Sequence, residues 1–314
     1  MGSAFDRYVT EDNIKCILYY LALSAIHGVQ KGVVVASGYE AWIGREEERS
    51  EFVLGSVAKA MAATLDVDSP VEPGDPLPPG WQWLLFNPVV RRSDLGPDGH
   101  LRRGGFLPPI ELPRRMWAGS RIRYLAQLPI GSLATRRSRI VSIENKSGKR
   151  GALTFVMVQH TISCDGVACI SEEQDIVYRE AMPHGTATAT APQHYDGVPQ
   201  WSRSVAPDTT LLFRYSALTF NGHRIHYDQA YARDTEGYAD LVVHGPLSAT
   251  LLQQFAVELG GGRRLARFDF RGVTPLFVNR AFRLEGRQAE DGSLALWARG
   301  PDGELAVSAT AAFA

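Results

Sequence analysis

Two Asp-Gly pairs, Asp165-Gly166 and Asp302-Gly303, each stand between apolar segments near the end of one half of the chain. They limit the fold more than any other feature. Both residue types tolerate the positive φ of tight turns, so each pair predicts two antiparallel strands joined as a hairpin. In the first half, a strand-rich stretch from Leu153 to Glu180 contains Thr154 to Val158 before the turn and Val167 to Tyr178 after it. In the second half, Leu294 to Ala298 leads in and Leu305 to Phe313 returns. The order extends upstream. Arg121-Ile122-Arg123-Tyr124 comes before Pro129 as Leu265-Ala266-Arg267-Phe268 comes before Pro275, and strand-like segments follow at Ser138 to Ile143 and Phe277 to Leu284. A helix candidate precedes each set: Glu51 to Leu65, and the stripe Leu247, Leu251, Leu252, Phe255, Ala256 and Leu259. A helix followed by an antiparallel meander, twice over, predicts two α+β units of one architecture.

The segment 183–200 is rich in Pro, Gly, Thr and Ala without apolar periodicity and reads as a linker. The expected division is an atypical N-terminal extension at 1–38, a first unit at 39–182, the linker at 183–200 and a second unit at 201–314. Within the extension, Ile14 to Ile26 is apolar, too short to span a bilayer, and preceded by Glu11 and Asp12; it reads as a helix capped near Asp12 or Asn13. Between Asp66 and Pro113 runs a long region of prolines and glycines that also carries Trp81, Trp83, Phe86 and Phe106. Such a loop is expected either to form a wall or lid over a pocket or to cover a sheet edge.

Charge excludes two partner classes. Lys plus Arg total 33 against 34 Asp plus Glu, so no overall field draws the chain to nucleic acid or to an anionic membrane. The pairs Arg114-Arg115, Arg136-Arg137 and Arg263-Arg264 are local; each reads as a solvated face, or as a contact for the phosphates of a nucleotide-bearing substrate. Three cysteines, Cys16, Cys164 and Cys169, make neither a disulfide framework nor a zinc-finger spacing and fit a reducing cytoplasm.

The reactive side chains concentrate in Tyr215-Ser216-Ala217-Leu218-Thr219-Phe220-Asn221-Gly222-His223-Arg224-Ile225-His226-Tyr227-Asp228, with His244-Gly245-Pro246 shortly after. This segment resembles the hydratase motif of the MaoC-like (R)-enoyl-CoA hydratases, Phe-Ala-x-Leu-Ser-Gly-Asp-x-Asn-Pro-Ile-His-x-Asp. Laid on without gaps, Tyr215 takes the leading aromatic place, Leu218 the leucine, Thr219 the serine, Asn221 the catalytic aspartate, His226 the catalytic histidine and Asp228 the final aspartate. Val242-Val243-His244-Gly245 resembles the approach to the family's central helix, whose glycine amide holds the thioester carbonyl. The wording Phe-Asn-x-His-Arg-Ile-His-Tyr-Asp is similar to a subgroup of mesaconyl-C4-CoA and itaconyl-CoA hydratases and type 2 3-hydroxyacyl-thioester dehydratases. Trp42-Ile43-Gly44-Arg45, Pro78-Pro79-Gly80-Trp81 and Gly104-Gly105-Phe106-Leu107-Pro108-Pro109 resemble that subgroup's degenerate first unit. The resemblance covers roughly residues 40–314. It implies a double hot-dog fold, two antiparallel sheets each wrapped around a central helix, an acyl-CoA substrate, no cofactor and no metal. Tandem units form an internal pseudo-dimer, with which an outer homodimer is compatible but not required.

The chemistry asks for the same residue types. Adding water to an enoyl thioester requires water delivered to Cβ, a proton for Cα and stabilisation of the enolate oxygen. A histidine can carry protons both ways near neutrality. An unpaired amide at a helix start, aided by the helix dipole, can hold the oxygen. Gly245 admits close approach, and Pro246 suits the first helical position, where its missing N–H costs nothing. Asn221 cannot accept the proton that an aspartate would, so His226 is expected to act alone with Asn221 orienting water, or His223 to supply a second proton-transfer group. Arg224 is a candidate to pair with a substrate carboxylate, with Tyr227 and Asp228 as supports at the substrate site. A metal set of His223, His226 and Asp228 is the alternative reading of the same spacing. A 3-hydroxyacyl-thioester dehydratase of fatty acid synthesis, a hot-dog thioesterase and a non-catalytic acyl-CoA-binding subunit are the competing functions.

Overall fold

The computed structural model describes residues 38–69, 71–148, 151–180 and 195–314. The expected helix before residue 27 and residues 183–194 of the linker lie outside the described residues. The first half contains β1 (Glu46–Phe52), α1 (Gly55–Leu65), β2 (Arg114–Tyr124), β3 (Leu133–Gly148), β4 (Gly151–Cys164) and β5 (Val167–Arg179). The second contains β6 (Trp201–Val205), α2 (Thr209–Leu218), α3 (Gly245–Leu259), β7 (Leu265–Gly272), β8 (Phe282–Gln288), β9 (Leu294–Arg299) and β10 (Leu305–Phe313).

The ten strands among the described residues form one antiparallel sheet in the order β1-β3-β4-β5-β2-β7-β10-β9-β8-β6. Read from either edge the order is the same once β1 to β5 are matched with β6, β7, β8, β9 and β10 in turn. The two halves are thus related by a pseudo-two-fold between β2 and β7. At that seam Ile122 pairs with Phe268 and Ser120 with Phe270. Ile122 and Phe268 are both completely buried, so the joint between the halves is core.

α3 packs against β7, β8, β9 and β10, the second half of this sheet. Its apolar stripe is the expected one, and Ser248, Thr250 and Gln253 on the other faces are buried as well. A helix enclosed on most sides is a central helix rather than a surface one. In the first half no long helix occupies the equivalent place between α1 and β2. The turn Trp81–Leu84 stands there, with Trp81 wholly buried, and it clasps α3 through Tyr124. The phenol of Tyr124 accepts from the Gly80 amide at 3.0 Å and donates to the Gln253 amide oxygen. The degenerate first unit is therefore a hot-dog half whose filling is a loop.

Three sequence boundaries shift for identifiable reasons. Glu51 and Phe52 belong to β1, where they pair with Ala134 and Leu133, so the first helix begins only at Gly55. Residues 276–278 do not join β8. Val243 N bonds to Leu276 O at 2.8 Å and Val278 N to Leu241 O at 3.0 Å, which ties them to the strap 241–243 that leads into α3 instead; Asn279, at φ 58, then turns the chain into the sheet. Of the two Asp-Gly turns, only Asp165-Gly166 has both residues at positive φ (49 and 77), as a two-residue hairpin turn requires. Asp302-Gly303 sits in a longer loop closed by Gly303 N to Gly300 O.

Candidate active site

The motif runs from the end of α2 into a single 3-10 turn, Arg224–His226. Asp208 starts α2 by accepting the Leu211 amide at 2.7 Å, an N-cap in the usual sense. At the other end Phe220, at φ 48, reverses the chain. Asn221 N bonds to Ser216 O at 2.8 Å, and Val242 N to Ile225 O at 2.9 Å, which locks the turn against the strap before α3.

His226 is buried, 7% exposed, and its Nδ1 lies 2.7 Å from the Val242 carbonyl. A carbonyl only accepts, so Nδ1 carries the hydrogen and Nε2 is the unprotonated nitrogen. Its ring stacks on that of His244 at 3.7 Å between centroids and 20° between planes. Burial, and next the neighbouring His244, hold the His226 pKa well below 6.5. His244 is itself anchored at Nε2 by the Ser216 hydroxyl, 2.8 Å away, and burial lowers its pKa to about 3. Both rings are neutral at physiological pH.

His244 directly precedes Gly245, the first residue of α3. An amide at that position has no intrahelical acceptor. Pro246 follows within the first turn. A cavity of about 1440 Å³ reaches Gly245, His226, Asn221, His223 and Tyr227, together with Trp83, His100, Phe106, Arg114 and Trp117 from the first half. The long loop 66–113 is therefore a wall of the cavity, and the cavity belongs to both halves.

The remaining motif residues divide. The Asn221 side-chain oxygen accepts the His223 amide at 3.0 Å while the residue lines the cavity. His223 meets His226 edge-on, 5.5 Å between centroids. Tyr227 donates to Gly222 O at 3.0 Å and its ring is exposed at the rim. Arg224 and Asp228 do not line this cavity. The Arg224 guanidinium is engaged by Asp228 at 2.7 Å, by the Pro97 carbonyl at 3.0 Å and by the face of Tyr231. It fastens the turn 97–99 to the motif. The metal alternative loses its ligand set too, because Asp228 faces Arg224 and the His226 Nδ1 faces Val242 O. The groups with ligand atoms within 4.8 Å of one another are Asp98, His100 and His223.

Four site residues carry no signal in the motif. Asp98 bonds His100 Nδ1 at 2.9 Å, and the His100 ring packs on His223 at 4.1 Å. Burial lowers His100 to about 4 despite that carboxylate. Burial would raise the Glu236 carboxyl, but His223, 3.9 Å away, and Arg114 outweigh it and hold it below its usual value. Arg114, read from the sequence as a solvated face or a phosphate contact, is instead buried beside Glu236. Only the length of loop 66–113 hinted that it served a site.

The family described as hydroxyacyl-thioester dehydratase type 2 matches residues 80–278. A mesaconyl-C(4)-CoA hydratase of Chloroflexus aurantiacus is 48% identical over 88% of this chain and 98% of its own length. A mitochondrial hydroxyacyl-thioester dehydratase type 2 of Schizosaccharomyces pombe is 28% identical over 66% of this chain and 77% of its own. Among solved structures, a MaoC-like dehydratase from Phytophthora capsici superposes with a TM-score of 0.68 at 14% identity, covering 86% of this chain and 95% of that one. A Mycobacterium tuberculosis protein described as having a double hot-dog fold matches at 0.54 and 13% identity, over 86% and 95%. The fold is the double hot-dog, and the chain belongs to the MaoC-like hydratases and dehydratases, within the hydroxyacyl-thioester dehydratase type 2 family.

Proposed function

We propose that the protein is a hydro-lyase that adds water across the α,β double bond of an acyl-CoA, with mesaconyl-C4-CoA as substrate and citramalyl-CoA as product; itaconyl-CoA, whose double bond is β,γ to the thioester, would give the same product with the proton delivered to its methylene carbon instead of Cα. One observation carries the reading: a neutral histidine with its Nδ1 hydrogen tied to a carbonyl, sharing a cavity with the free amide of a helix start. His226 Nε2 takes a proton from water as the oxygen attacks Cβ, while the Gly245 amide holds the thioester oxygen as it becomes an enolate. The depressed pKa of His226 makes its cation a better acid than a free imidazolium, which favours passing the proton to Cα. One imidazole thereby covers both transfers, and Asn221, which can only orient water, suffices where the family pattern has an aspartate. Run backwards, the same steps dehydrate a 3-hydroxyacyl thioester, the activity named for the fungal relative. In this reading residues 201–314 carry the chemistry, 39–182 supply the wall of the acyl pocket, and the protein works in the cytoplasm with Cys164 and Cys169 as free thiols.

The test is loss of enoyl-thioester absorbance with mesaconyl-CoA, itaconyl-CoA and crotonyl-CoA. Wild type should hydrate at least one without releasing thiol. His226→Ala should lower kcat by about 10²–10⁴-fold, the usual worth of a general acid–base group. Thiol release would instead mark a thioesterase, and unchanged activity in His226→Ala would remove that residue from the mechanism.

A further inference from the structure

Arg114 is the first residue of β2 and is 9% exposed at a wall of the catalytic cavity. Its Nε lies 3.4 Å from a Glu236 carboxylate oxygen, and its Nη2 donates to the Glu236 main-chain carbonyl at 2.5 Å. Its Nη1 is buried without a hydrogen-bond partner. Directly opposite in the β2–β5 pairing stands Arg179, whose Nε is likewise buried without a partner. Both arginines lie beside Tyr238. Glu236 is the one carboxylate in ion-pairing range of either among the described residues, and it also faces His223. Two guanidiniums with one carboxylate, which pairs with Arg114, leave the corner cationic, and buried N–H groups of a charged donor favour a charged acceptor.

The corner is also close to the reacting atoms. Arg114 touches Glu236, Glu236 is 3.9 Å from His223, and the His223 ring abuts that of His226. A phosphate on the distant nucleotide end of coenzyme A cannot occupy this place while the thioester sits at Gly245. An anionic group a few atoms from the double bond can. Resting on the hydratase reading, we infer that Arg114, supported by Arg179, is the specificity site that binds the free carboxylate of a dicarboxylic acyl thioester. Arg224, engaged elsewhere, is not.

The experiment compares binding with turnover in the full-length protein. Succinyl-CoA and butyryl-CoA are nearly isosteric, cannot be hydrated, and differ by the carboxylate. Wild type should bind succinyl-CoA tighter by calorimetry. Arg114→Gln should weaken succinyl-CoA by about 10-fold or more and butyryl-CoA by less than 3-fold, with binding of free coenzyme A unchanged. Arg114→Lys, which keeps the charge beside Glu236 and so protects the fold, should show the same selective loss at smaller size. Equal losses for both thioesters in the lysine variant, or loss of coenzyme A binding, would overturn the assignment. A wild type that binds succinyl-CoA selectively yet hydrates no enoyl thioester would leave the carboxylate site standing and defeat the hydratase reading alone.

Discussion

Gly245 is a glycine that the protein's own packing does not require. Its φ is not positive, and a Cβ built on it meets no atom within 4 Å. In a helix, alanine is ordinarily the better residue. The demand for a missing side chain must therefore come from what enters the cavity. Gly245→Ala should fold with a thermal midpoint equal to or slightly above wild type, since the backbone is already helical. Its kcat/KM for the enoyl thioester should fall by about 10²-fold, comparable to the loss of one oxyanion donor. Steady-state kinetics beside a melting curve checks both halves; a parallel fall in stability would mean a structural role. His226 yields a second expectation. With its pKa below 6.5, the neutral base persists into mild acid, so kcat/KM should stay flat through neutrality and its acid limb should lie below pH 6.5. At this scale the sequence brought His226 and Asn221 together by short-range spacing, and the Val242–Ile225 backbone bond adds Gly245 to the same cavity. Nothing local to Arg224 reveals that Pro97, far away in sequence, takes one of its N–H groups.

Among the elements, the loop between α1 and β2 does the work that a helix does in the second half, and it is held by close backbone contact. Gly99, at φ 87, lies against the motif loop after α2: a Cβ there would stand 1.8 Å from Gly222 O. Arg224 adds its amide to Asp98 O at 2.9 Å and its guanidinium to Pro97 O. This is how Asp98 and His100 reach His223. Gly99→Ala should therefore loosen the turn and lower stability by about 1–3 kcal/mol. It should cut kcat/KM by at least 10-fold and speed tryptic cleavage at the exposed Arg92 and Arg102. Unchanged cleavage and activity would show that the loop's position is fixed by something else. Hairpins and the central helix were readable because alternation and helical stripes are local. The loop's path was not, since it depends on glycines meeting across more than a hundred residues.

At the scale of the molecule, the palindromic strand order shows that the sequence repeat is a repeat in space, with the cavity at the junction rather than inside one unit. Its enclosure has a consequence for stability. Burial keeps His100 and His160 at about 4 and His244 at about 3, with His226 also depressed. In the unfolded chain each returns to about 6.5. Between those values the unfolded state binds protons that the folded state refuses, so stability is complete above about pH 6.5 and is lost as pH falls. Each such group contributes at most about 1.4 kcal/mol per pH unit in its window. Glu172, whose buried carboxyl is raised, acts with the opposite sign and trims the total. The urea midpoint should accordingly be level from pH 7 to 8 and fall steeply between 6 and 4. His160, outside the motif and bonded to Ser138 at 2.9 Å and Gln174 at 3.1 Å in the first half, tests this effect. His160→Gln should lower stability at neutral pH yet flatten the acid slope by up to one proton. An unchanged slope would mean that His160 titrates alike in both states and that the acid lability arises elsewhere.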